Sequence, residues 1–130
     1  MLNGFSEQTK PLSDYEKNSL VPRIVTGMRK IVGRERAITN AEIVARLKKE
    51  GYKLSEARVR KIINYIRVNG IIERLIATSE GYYIANTDQE VRDYIESLKG
   101  REEAIRAVRR RLEGQLQPIN RAANLFETAT

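Results

Sequence analysis

The chain has 130 residues, a formal net charge of +7 and a sequence pI near 9.9, and it contains neither cysteine nor histidine. That excludes a disulfide framework, a Cys/His zinc site, a thiol nucleophile and an imidazole base. Hydrophobic residues at 41% and charged residues at 32% suit amphipathic helices around one core, which a chain of this length can bury without cross-links.

Residues 1–12 are polar and aperiodic and read as a flexible N-terminal arm, without the apolar run of a signal peptide. Ser13 and Glu16 have capping-box spacing. Leu20, Val21, Ile24, Val25, Met28, Ile31 and Val32 keep a 3.6-residue rhythm, so a first helix is expected to run to about Val32 and stop at Gly33. Pro22 should kink it or mark the first turn of a second helix. Ala37-Ile38-Thr39 favours a brief strand. Thr39 or Asn40 caps a second helix with Ile43, Val44 and Leu47 as its apolar stripe, and Gly51 stops it. Ser55 caps a third helix over residues 55–69, closed by Gly70. Ile71–Ile76 and Tyr82–Ala85 are β-prone runs around Ala77-Thr78-Ser79-Glu80-Gly81, a hairpin over residues 71–85. Asn86-Thr87-Asp88 cap a long last helix over 87–116, weakened by Gly100 and stopped by Pro118, with 117–130 as a tail. No apolar stretch approaches the roughly 18 residues of a membrane span, so the chain is expected to be cytoplasmic.

The charge is unevenly spread. Residues 21–70 carry 13 Lys and Arg against 4 Glu, whereas residues 71–90 carry 1 against 4 and residues 91–116 carry 7 against 5. A positive field confined to one segment suggests a phosphate-rich partner.

The expected fold class is mainly α with a small β-hairpin. The element order resembles the winged helix-turn-helix superfamily over residues 13–86. Thr39-Asn40-Ala41-Glu42-Ile43-Val44-Ala45-Arg46-Leu47 match its support helix. Leu54-Ser55-Glu56-Ala57-Arg58-Val59-Arg60-Lys61-Ile62-Ile63 match its recognition helix, and Gly81-Tyr82-Tyr83-Ile84 look like the returning strand of a wing. The chain is also similar to small winged-helix proteins of phages and mobile elements of Bacteroides-type bacteria. The Gly51-Tyr52-Lys53-Leu54 connection departs from the pattern in being longer than the usual turn, which bears on how the third helix sits.

On a helical wheel Ile62, Ile63 and Ile66 fall within about 60° of Val59, and the four make a core stripe. Ala57, Arg60, Lys61, Asn64 and Val68 lie opposite, flanked by Arg58 and Tyr65 on one side and Arg67 on the other. A solvated helix usually mixes charges for i,i+4 pairing, yet after Glu56 this one has no acid before Glu73. Arg suits guanine and Asn suits adenine in the major groove, so Ser55, Ala57, Arg58, Arg60, Lys61, Asn64 and Arg67 are candidate double-stranded DNA contacts. Lys53, Arg74 and Ser79 are candidates from the turn and the wing, and Lys48, Lys49, Arg29, Lys30, Arg34 and Arg36 could hold phosphates.

In the last helix Val91, Leu98, Ile105 and Leu112 are seven apart, joined by Tyr94 or Ile95, Val108 and Leu116. The pattern predicts a helix that pairs with its own copy in a homodimer or packs back on the domain, with Arg101 interrupting the seam. Val91, Ile95, Leu98, Ile105, Val108 and Leu112 are the candidate dimerisation residues. There is no GxxxxGK[ST] loop, no GxSxG elbow and no carboxylate pair in an apolar setting, so neither catalysis nor a cofactor or metal is expected. The expected function is a duplex-DNA-binding regulator of transcription or replication, with helix 55–69 in the major groove and hairpin 71–85 as wing. The alternative is a winged-helix protein–protein interaction module within a larger phage or cellular assembly.

Overall fold

The computed structural model describes residues 10–129, with side chains through Leu116. Most of the expected arm, residues 1–9, lies outside the described residues, and Leu12 at its end is buried in the core. The helical elements are a π-helical turn Glu16–Leu20, α1 Val21–Met28, α2 Asn40–Lys49, α3 Glu56–Val68 and α4 Asp88–Ala129, with a hairpin of β1 Leu75–Thr78 and β2 Gly81–Ile84 between α3 and α4. The chain is mainly helical with a small antiparallel hairpin and a long C-terminal helix, as expected. Met1–Val91 and Arg92–Thr130 are separate compact units.

Ser13 and Glu16 form the expected capping box. Glu16 N–H donates to Ser13 Oγ at 3.1 Å, and Ser13 N–H donates to the Glu16 carboxylate at 2.8 Å. Pro22 lies in the first turn of α1, where a missing N–H costs least. Immediately before it the backbone slips to π geometry, with Val21 N–H donating to Glu16 O five residues back. Helix α1 ends at Met28, not near Val32, because Ile31 and Val32 are drawn off into backbone bonds with the hairpin. Ile84 N–H donates to Ile31 O at 2.8 Å and Gly33 N–H to Ile84 O at 2.9 Å. A short 3₁₀ turn, Arg34–Arg36, then leads to Ile38, which exchanges two backbone bonds with Tyr82. The expected strand at 37–39 is thus a single bridging residue that extends the sheet by one rung.

Thr39 is the cap of α2, completing a capping box with Glu42. Ser55 caps α3 by accepting from Arg58 N–H at 3.2 Å. Both helices end in the same way. Gly51 (φ 92°) and Gly70 (φ 63°) turn left-handed, and the residues after them, Tyr52 and Ile71, return N–H bonds to Leu47 O and Ile66 O. Val59, Ile62, Ile63 and Ile66 are at most 1% exposed, and burying each is worth roughly 1.5–3 kcal/mol. They pack with Leu20, Ile24, Met28, Ile43 and Leu47 into one core.

The hairpin is shorter than residues 71–85. Arg74 adopts a left-handed φ of 63°, so the chain turns there and pairing starts at Leu75. Leu75 pairs with Ile84 and Thr78 with Gly81, leaving the two-residue loop Ser79-Glu80. Thr87 and Glu90 form a third capping box at the start of α4. Pro118 does not stop this helix, which runs as one element to Ala129 in place of the expected tail. An internal proline removes one donor and costs on the order of 3 kcal/mol, but it does not oblige a helix to end. The side chains of 117–130 lie outside the described residues.

Candidate nucleic-acid interface

The apolar stripe of α3 fixes the rotation of the helix, and its rotation decides which side chains face out. Arg60, Asn64 and Val68 are exposed and Ala57, Lys61 and Arg67 half-buried, in agreement with the wheel. Val68, at 75% exposure, is the most solvated large apolar side chain among the described residues. Glu56 reaches Arg60 one turn on, at 3.8 Å, so the acid of the first turn offsets part of that cation. Beyond Glu56 the outward face carries only cations, an amide and apolar groups.

Arg58 does not belong to this face. Its guanidinium grips Glu16 through both carboxylate oxygens, at 2.9 and 2.5 Å, and also donates to Lys10 O at 2.8 Å and Pro11 O at 3.2 Å. Its side chain is 11% exposed and that of Glu16 is 10%. All of these bonds tie α3 to the segment before α1. The geometry corrects the assignment of Arg58 as a base contact: its flank of the helix faces the N-terminal segment. The Arg58 hydrogen bonds, helped by those from Ser13, hold the Glu16 carboxyl at about 2, against an ordinary 4.5, despite the opposing effect of burial. Sequence reasoning identified Glu16 only as half of a capping box. A carboxylate has lone pairs enough for two tasks, and the second partner lies 42 residues away.

The other candidates divide. Lys53 is exposed in the turn before α3, near Ser55 in sequence, and Ser79 is exposed at the hairpin tip. Arg74 is paired with Asp88, so its charge is largely met within the domain. At the hairpin tip Glu80 pairs with Arg34 at 3.2 Å, which leaves the wing candidate with little net field. Arg23 grips Glu50 and pulls its carboxyl below the ordinary range. Among the described residues, Lys48, Lys49, Lys53 and Lys61 form no ion pair, and they bracket the α2–α3 connection and the outward face. The support helix is tied to the sheet through Tyr82, whose hydroxyl donates to Asn40 Oδ1 at 2.8 Å, a bond that periodicity does not reveal.

An apolar groove of about 240 Å³ lies between α1 and α2, floored by Ile24, Met28, Ile38 and Leu47, with Arg23, Lys30, Arg46 and Glu50 at its edge. On α4, Ile95, Leu98, Ile105, Val108, Leu112 and Leu116 are exposed, between 40% and 70% each, while Val91 is half-buried. Arg101 lies over the Tyr94 ring at 5.9 Å. Among the described residues no cluster of His, Cys, Asp or Glu could hold a metal ion, and no helix is long and apolar enough to cross a membrane. Comparison with protein-family models, with curated proteins and with solved structures finds no match to the chain.

Proposed function

We propose that this chain is a winged helix-turn-helix protein that binds duplex DNA in the cytoplasm as a regulator of transcription or replication, of the kind phages and mobile elements carry. Helix α3 enters the major groove, with Lys61 and Asn64 toward base edges and Arg60 and Arg67 toward base edges or backbone. Lys48, Lys49 and Lys53 lie at the turn and hold phosphates. The single observation that carries the reading is the face of α3 beyond Glu56, which is acid-free and opposite a fully buried stripe. The net +9 of residues 21–70 supports it. The wing contributes less, because Glu80 offsets Arg34 and Asp88 offsets Arg74. Two copies joined through α4 would present two α3 helices to a pseudo-palindromic site.

The test is titration of the full chain with random-sequence duplex at two salt concentrations. Affinity should fall by an order of magnitude or more between about 50 and 200 mM salt. Lys61→Ala and Asn64→Ala should each weaken binding roughly 5- to 30-fold while the circular dichroism melt stays within a few degrees of the parent. Absence of binding at the lower salt would sink the DNA reading. It would favour instead a protein-interaction module within a larger assembly, which the exposed apolar residues of α4 support.

A further inference from the structure

Two patterns run along the described part of α4, and they share a centre. The apolar spine Val91, Leu98, Ile105 and Leu112 is symmetric about a point between Leu98 and Ile105. Charge changes sign close to the same point. Residues 88–103 carry six acidic and three basic side chains, a net of −3, and residues 104–116 carry Arg106, Arg109, Arg110 and Arg111 against Glu113, a net of +3. The spine is open: Leu98, Ile105 and Leu112 are exposed at 40%, 70% and 56%. Ala104, Ile105, Val108, Leu112 and Leu116 form a continuous apolar strip on the basic half.

We infer that this face takes a second copy of α4 running antiparallel, with the two-fold axis between Leu98 and Ile105. The two charge halves choose the direction. In a parallel pair residues 89–96, net −2, run beside their own copy, and so do residues 107–114, net +2, so segments of like charge run together. In an antiparallel pair residues 89–96 of each copy, net −2, lie along residues 107–114 of the other, net +2. Val91 of each copy then comes level with Leu112 of the other, Leu98 with Ile105, and Ile95 with Val108. The seam interruption at mid-helix is resolved in the same way, because Arg101 of each copy comes level with Glu102 of the other. The intrahelical pairs Arg106–Glu102 (3.7 Å) and Arg109–Glu113 (2.9 Å) do not alter the net charge of either half by leaving it, except where Arg106 reaches back across the boundary.

The inference rests on the self-association part of the proposed function and not on DNA contact. It has a geometric signature. At 1.5 Å per residue the two copies of Gln89 lie about 40 Å apart in the antiparallel pair and about 10–15 Å apart in a parallel one, while the two copies of Gly100 are close in both. The chain has no cysteine, so Gln89→Cys and Gly100→Cys each give a single labelling site. Gln89 is exposed, and a Cβ at Gly100 meets nothing within 4 Å, so neither change threatens the fold. The experiment is sedimentation of the full chain followed by spin-label distance measurement on each variant. A dimer with a long distance at 89 and a short one at 100 is the expected result. A dimer with short distances at both positions overturns the antiparallel arrangement and leaves self-association standing. A monomer at every soluble concentration overturns both.

Discussion

Glu16 and Arg58 are 42 positions apart in sequence, and the guanidinium–carboxylate fork between them closes the N-terminal segment onto α3. Because the folded pKa of Glu16, about 2, lies below its ordinary 4.5, the pair stabilises the fold in full above about pH 4.5. That stability is lost as pH falls from there through about 2, and it amounts to on the order of 3 kcal/mol. Urea denaturation across this window should show the parent protein losing stability steeply, and Glu16→Gln should start lower and flatten that limb. An acid limb unchanged in Glu16→Gln would assign it to other carboxylates. Arg58→Ala should cost about 2–4 kcal/mol at neutral pH, and Arg58→Lys should recover little, since an ammonium cannot fork onto both oxygens. Helical periodicity placed Val59, Ile62, Ile63 and Ile66 correctly because it depends only on neighbours along one helix. It put Arg58 on a flank but could not say what that flank faces, which depends on a segment folded elsewhere.

The helix caps and the glycine stops at Gly51 and Gly70 were the most legible elements, whereas the stop expected at Pro118 failed. Ser13, Thr39, Ser55 and Thr87 satisfy backbone N–H groups three residues on, and Gly51 and Gly70 close helices in left-handed geometry, all from interactions within one turn. Boundaries set by tertiary pairing were not legible: α1 ends early because Ile31 and Gly33 bond to Ile84, and the hairpin narrows because Arg74 turns. Gly81 shows the same dependence. Its φ is 127°, and a Cβ built there would lie 2.5 Å from Ile38 O, in the rung that joins the sheet to the segment before α2. Gly81→Ala should therefore destabilise by more than about 2 kcal/mol, whereas Gly70→Ala, with φ 63° and open space, should cost only about 1–2 kcal/mol. Thermal melts of the two variants make the comparison, and equal losses would show that backbone conformation and not the close approach sets the cost at 81.

The chain divides into a unit with a buried core and a long helix whose large apolar side chains, among the described residues beyond Val91, are mostly open, and the two have different grounds for stability. The core unit buries its own apolar surface, so its melting should not depend on protein concentration. The described side chains of α4 beyond Val91 give it no such support, and most helical stability in proteins comes from packing of an apolar face. Its helicity should rise with concentration if a second copy supplies the missing contact. Circular dichroism melts over a hundredfold dilution would then show the helical signal falling and an early transition moving down, while the later one stays fixed. Coincident, concentration-independent melts would argue against self-association as the support for α4. Charge follows the same division. In the core unit Glu16, Glu50, Glu80 and Asp88 are each matched to an arginine, and the lysines around α3 are left to set the external field.

Val68 sits at the far end of the outward face of α3 with three-quarters of its surface in water. Nothing in the core holds its identity, so exchanging it is nearly silent for folding. The chain contains no tryptophan. A single indole installed at position 68 would therefore be the only such fluorophore in the molecule, a built-in optical probe whose emission reports on what approaches that one face of the helix.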